Sequence, residues 1–234
     1  MTERYRTDGS SGSAVRIVRV ISELQRRLAS HGAQPFLTYY DAADGSRIEL
    51  SAVTFANWVD KTANLIADLG HEDGDPIDVA LAESNPGHWV TLVWIAAAWQ
   101  RGCPVHPGVS GADLLVVGPG DARRAPDTVA CSLHPLGIGF PTPPAGALDY
   151  REVFAQPDVH DVSPLGTATG WAGQLAPRVE PRDDRLLLAD PPAAWSTVAD
   201  ALVAPAMGTG STVIAVGYDD EGLARLAEAE KARL

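Results

Sequence analysis

Residues 36–107, FLTYYDAADGSRIELSAVTFANWVDKTANLIADLGHEDGDPIDVALAESNPGHWVTLVWIAAAWQRGCPVHP, decide the fold. Two extended runs, 36–41 and 47–50, flank Asp44-Gly45, the turn dipeptide of a tight β-hairpin. Ser51 stands where a helix N-cap is needed, its hydroxyl free to accept a backbone N–H. Phe55, Trp58, Val59, Thr62, Leu65, Ile66 and Leu69 then recur at helical spacing, and Gly70 supplies the stop. Asp73-Gly74 turns the chain into 77–81, a short apolar run that reads as a buried strand. Residues 86–101 carry Trp89, Val90, Leu92, Val93, Trp94, Ile95 and Trp99 on every side, which predicts a helix covered all round. Gly102 ends it, and 103–106 opens another strand.

Outward from this stretch the pattern continues. Residues 1–13 are polar and Gly/Ser-rich, the composition of a disordered tail. Val15, Val18, Ile21, Leu24, Gln25 and Leu28 share one face of a predicted helix over 15–29, with Gly32 beyond its end. Short apolar runs at 114–117 and 129–133 read as strands. From 141 to 181 proline and glycine interrupt any periodicity, and loops are expected. Order returns with a strand at 185–189, a helix at 195–207, a strand at 212–216 and a helix at 219–233. Strands alternating with helices predict an α/β fold, a mostly parallel sheet flanked by helices, as a single domain over 14–234.

Composition bounds the partners. The 234 residues carry a net charge of −12 and only two lysines, Lys61 and Lys231. Such a surface repels phosphate backbones and anionic lipid heads, so no nucleic acid and no membrane surface is expected. Residues 1–13 lack the apolar core of a signal peptide, and the apolar run 89–99 is too short to span a bilayer. Two cysteines make no disulfide framework. A soluble cytoplasmic protein is expected.

Several constellations invite chemistry. Gly166-Thr167-Ala168-Thr169-Gly170-Trp171 and Gly208-Thr209-Gly210-Ser211-Thr212 both look like phosphate-cradling loops. The second runs from a helix into a strand, opposite to the strand-to-helix geometry that points free N–H groups at an anion. Cys103-x-x-His106 and Cys131-x-x-His134 supply the donor set of a Cys₂His₂ zinc site. Residues three apart on a strand point to opposite faces, however, so buried cysteine is the default and no metal is assigned. Ser132 and His134 lack a nucleophile elbow. Asp183-Asp184 reads as a solvated turn. Trp171, in the irregular region, is the tryptophan expected to be exposed or to stack on another group.

The segments DGSRIELSAVTFANWVDKTANLIADLG, GDPIDVAL and HWVTLVWIAAAWQRGCPVHP follow one another in an order that resembles the N-terminal region of AMP-binding, adenylate-forming enzymes. That superfamily includes acyl-CoA synthetases, peptide-synthetase adenylation domains and luciferases. ALVAPAMGTGSTVIAV at 201–216 and the helix after it are similar to a later helix, glycine turn, strand and helix of the same family. More narrowly, the chain resembles a short actinobacterial family akin to these enzymes. The resemblance implies their N-terminal α/β fold, with ATP, AMP or a CoA thioester as admissible ligands and no resident cofactor. By position it places the degenerate phosphate loop at Thr167, Thr169 and Gly170.

Adenylation needs a Ser/Thr/Gly-rich loop ending in lysine, because charge develops on the phosphates in the transition state. No lysine occurs between Lys61 and Lys231. The chain also ends at Leu234, about where the family's nucleotide contacts and mobile C-terminal domain would begin. No catalytic residue is assigned. The expectation is a non-catalytic relative that binds a protein partner, a second copy or a small ligand. The alternative is an adenylate-forming enzyme with a rebuilt or split active site.

Overall fold

The structure is a computed structural model that describes residues 20–108, 111–159, 170–172, 174–175 and 177–234. The expected tail at 1–13 and the first turn of the first helix, with Val15 and Val18, lie outside the described residues. Helix α1 runs Val20–His31 and leads into the hairpin β1 (Pro35–Asp41) and β2 (Ser46–Ser51). Helix α2 (Ala52–Asp68) starts where Ser51 accepts the Thr54 N–H at 3.1 Å, as its sequence position predicts. Strand β3 is Ile77–Val79, and Leu81 lies in the short helix α3 (Leu81–Ser84) rather than in the strand. Helix α4 (Trp89–Gln100) is buried at every residue.

Strands β4 (Leu114–Val117), β5 (Asp127–Ala130) and β6 (Leu148–Asp149) follow, then a 3₁₀ turn at Tyr150–Ala155. A minimal pair, β7 (Gly170–Trp171) and β8 (Gln174–Leu175), lies in the expected loop-rich segment. Strand β9 (Arg185–Ala189) precedes the helix predicted over 195–207. That helix is α5 (Trp195–Val198) and α6 (Ala204–Met207) joined by a π-turn at Ala199–Val203. Strand β10 (Ser211–Val216) and helix α7 (Asp220–Glu230) complete the chain. Residues 103–106 do not form the expected strand. Val105 alone makes single bridges, to Ile77 and Trp171.

Pairing is mostly parallel, as predicted, and is divided between two four-stranded sheets ordered β2-β1-β10-β9 and β3-β4-β5-β6. Only β1 and β2 run antiparallel within them. One large core joins the inner faces of both sheets through α1, α2, α4 and the 195–207 helix. Period-two alternation sends Leu37, Tyr39 and Ile214 inward from the first sheet, and Ile77, Val79, Leu114, Val116 and Val129 inward from the second. A nearly all-apolar α4 is therefore stable in water-free surroundings, packed against α1, α2 and β3 within this core. Each fully buried large apolar side chain, such as Phe55, contributes about 1.5–3 kcal/mol.

One expectation about α1 is corrected. Gln25 is exposed, and Arg27 is buried in its place. Its guanidinium donates to the carbonyls of Pro205 and Gly210, both at 2.6 Å, and of Pro35 at 3.1 Å, while stacking 5.0 Å from the Phe36 ring. A buried charge is tolerable only when satisfied in this way.

Candidate functional site

In open parallel sheets, ligands bind outside the carboxyl ends of the strands. Here the carboxyl ends of both sheets open onto a common cleft. From the first sheet come Tyr39 and Asp41 of β1, Val216 of β10, and Asp190 just after β9; Asp44 and Ser46 of the hairpin join them. From the second come Ser84, Asn85 and His88 in the connection from α3 to α4, and Leu133 and Pro135 after β5. Two adjoining hollows, about 200 and about 150 Å³, make up the cleft.

Gly87 sets how closely the two halves approach. A Cβ there would sit 2.6 Å from the Pro191 ring and 3.0 Å from Ile214, so only glycine passes between them.

The polar groups of the cleft are largely satisfied from within. His88 caps α4, its Nδ1 accepting the Val90 N–H at 3.2 Å, and its ring lies 4.7 Å from that of Tyr39. Burial pushes its pKa down to about 4, against an opposing pull from the Leu133 carbonyl, so the ring is neutral near pH 7. Tyr39 donates to Asp41 at 3.3 Å, and burial followed by the Asp41 charge holds its phenol protonated. Asp41 also accepts the Ala43 N–H, Asp44 the Ser46 N–H and Asp190 the Gly217 N–H. The carboxylates of Asp41, Asp44 and Asp190 are the charged groups lining the cleft. No lysine or arginine lines it among the described residues.

Such an arrangement can hold neutral or cationic groups. It offers nothing to neutralise a triphosphate, and its one imidazole is committed to a helix cap. These residues escaped sequence reasoning because they come from distant segments. The available signal was an acidic residue at or just after a strand end in two places, Asp41 closing β1 and Asp190 following β9.

The sequence-predicted sites fall elsewhere. Thr167 and Thr169 lie outside the described residues, and Gly170 begins β7. The Gly208–Thr212 turn does run from helix into strand, and its backbone is occupied. Arg27 holds the Gly210 carbonyl, Arg182 O accepts the Gly210 N–H at 2.8 Å, and Asp183 accepts the Thr209 N–H at 2.8 Å. A Cβ at Gly208 or at Gly210 would come within 2.3 Å of a backbone carbonyl oxygen, so these glycines serve chain packing.

Cys103 and Cys131 are both buried and free. Burial raises both thiols, Cys103 to about 12, so neither is a thiolate near pH 7. Among the described residues no group of three or more His, Cys, Asp or Glu side chains is placed to hold a metal ion. Ser132 donates to the Ile138 carbonyl and accepts the His134 N–H, a loop-closing arrangement. Asp184 accepts from Arg233. Trp171 packs against Trp195 in a tilted contact, with ring centroids 5.9 Å apart and planes at 54°.

One rim of the cleft is apolar. Leu136 and Ile138, beyond Pro135, are 67% and 51% exposed, and Phe154 is 53% exposed. Gly137 between the first two rests on the Trp58 ring, whose other contacts include Phe154 at 5.4 Å. Trp58 thus lies under an exposed apolar patch.

No family model matches the chain. A Mycobacterium tuberculosis protein described as a TIGR03089 family protein is 35% identical over 127 residues, which is 50% of this chain and 51% of that one. The chain thus spans about half the length of the curated relative it matches. Among solved structures, an acyl-CoA synthetase of Brucella canis superposes over 92% of this chain and 46% of its own, with a TM-score of 0.70 at 18% identity. The N-terminal domain of FACL13 from Mycobacterium tuberculosis covers 92% of this chain and 61% of its own, with a TM-score of 0.65 at 12% identity. Acetoacetyl-CoA synthetase from Streptomyces lividans also covers 92% of this chain, with 42% of its own, at a TM-score of 0.65 and 15% identity. No helix among the described residues is long and apolar enough to cross a membrane. The chain has the α/β fold of the N-terminal part of AMP-binding acyl-CoA synthetases.

Proposed function

We propose that this chain is a non-catalytic relative of adenylate-forming enzymes that acts by binding, through the cleft and its apolar rim. One observation carries the reading. The charged side chains lining the cleft are the carboxylates Asp41, Asp44 and Asp190, whereas adenylation must stabilise charge developing on phosphate oxygens. Lys61 is engaged by the Gln156 carbonyl, and Lys231 lies in the left-handed turn after α7; neither lines the cleft. The patch of Leu136, Ile138 and Phe154 has the character of a partner-binding surface.

Thermal-shift titration with ATP, AMP and CoA thioesters tests which occupant is meant. A shift with one of them identifies a small ligand; no shift with any leaves a protein partner or a second copy. The same apolar rim favours a second reading, in which another chain docks there and completes a split adenylating site. Under that reading cell extract would restore ATP–pyrophosphate exchange to the purified chain, and extract treated with protease would not.

A further inference from the structure

The cleft and its apolar rim adjoin without a break in the chain. Leu133 and Pro135 line the cleft, and Leu136 and Ile138 follow them at 67% and 51% exposure. Two non-glycine residues with left-handed backbone lie at the cleft, Leu133 at φ 59° and Asp190 at φ 38°. L side chains disfavour that region, and such residues gather where a surface is shaped for a ligand.

The charge lining the cleft has one sign. Tyr39 lines both hollows and is buried, and after burial it is the charges of Asp41, Asp44 and Asp190 that keep its phenol protonated. Three carboxylates thus act on one point. Asp44 and Asp190 are exposed, so a partner can reach them. His134, whose charge would act on Asp44, spends its Nδ1 on the Leu136 N–H at 3.1 Å.

That sign decides among occupants. ATP, AMP and CoA thioesters bring phosphate anions, and a second copy brings its own net charge of −12; both are repelled. At about 200 and about 150 Å³, neither hollow reaches the roughly 300 Å³ of a small-molecule pocket, and each suits a side chain better than a nucleotide. We infer that this surface docks a basic segment of a protein partner, an arginine flanked by apolar residues. The guanidinium enters among Asp41, Asp44 and Asp190, and its apolar neighbours cover Leu136, Ile138 and Phe154. Arginine suits the place because its planar fork of donors matches carboxylates. The inference rests on the reading of the cleft as a binding site.

The probe is the peptide acetyl-Gly-Leu-Arg-Leu-Gly-amide, titrated into the full chain beside the same peptide with uncharged citrulline for arginine. Apolar residues on both sides make the result independent of chain direction. Followed by NMR, the arginine peptide binds at least about tenfold more tightly than the citrulline peptide, and added salt narrows the difference. It also moves the indole N–H signal of Trp58, which lies under the rim. The double variant Asp44→Asn, Asp190→Asn loses at least about tenfold for the arginine peptide and little for the other. Ile138→Ser, exposed and outside the carboxylates, weakens both peptides alike. No binding of the arginine peptide, equal affinity for the two, or full affinity in the double variant would each overturn the proposal. Self-association that Ile138→Ser abolishes would overturn it in favour of a second copy. All of these outcomes leave the non-catalytic reading standing, which pyrophosphate exchange by the chain alone would contradict.

Discussion

The outer faces of the two sheets make an instructive pair. On the first, Leu187, Val213 and Ala215 are covered by α7, with Leu223 and Leu226 packing down onto them. On the second, the residues packed over Ala80, Leu115, Val117 and Ala130 among the described residues are Ala125, Phe140 and Ala147 of loops. A polar clasp reinforces the first face. Glu230 at the end of α7 accepts from Tyr40, Arg47 and Arg185, and Arg185 also reaches Thr38 at 2.9 Å. The second face has a cavity of about 430 Å³ in the corresponding layer, with Leu115 and Ala125 in its lining. Where a helix returns, the face becomes core; where only a short loop returns, it keeps space.

The comparison can be broken by truncating equivalent leucines. Leu187 and Leu115 are almost equally buried, at 3% and 5% exposure, so area alone predicts equal costs. Leu187→Ala opens a new void under α7 and should cost about 3 kcal/mol in chemical denaturation. Leu115→Ala enlarges a space that already exists and should cost about 2 kcal/mol, the low end for such changes. Equal losses would show that the two faces are equally well packed.

Glu230→Gln sharpens it from the polar side. It weakens three charge-assisted or phenolic hydrogen bonds and should cost about 1–2 kcal/mol, with proteolysis near the C-terminal helix increasing before global unfolding. Acid should mimic the substitution. Burial pushes the Glu230 pKa up, but hydrogen bonds from Tyr40, Arg47 and Arg185 outweigh it and leave the value below that of an ordinary glutamate. A depressed carboxylate stabilises the fold above its unfolded pKa of about 4.3, and that contribution is lost as pH falls through the folded value. The smallest effect predicted is therefore a wild-type acid limb that is shallower in Glu230→Gln, read from stability measured between neutral pH and the carboxylate range.

Much of the fold was legible because local signals agreed. Asp44-Gly45, the Ser51 cap and the apolar periodicity of α2 and α4 each specify an element without help from distant residues. The division into two sheets was not legible. It depends on pairings such as Leu37 with Thr212, and nothing local to a parallel strand names its neighbour. Arg27 was missed for a related reason. An arginine on a helix reads as solvated until the carbonyls of Pro205 and Gly210 are brought to it by another part of the chain. Of the candidate site, the expected Thr167 and Thr169 lie outside the described residues. The cleft of Tyr39, Asp41, His88 and Asp190 carries no spacing signature at all, because its residues are recruited from β1, the α3–α4 connection and the turn after β9.

The central claim is binding without adenylation. ATP–pyrophosphate exchange by the purified chain, across short, medium and aromatic carboxylic acids, tests it most directly. The account predicts exchange no higher than in the absence of protein, for every acid. Robust acid-dependent exchange by the chain alone would contradict it.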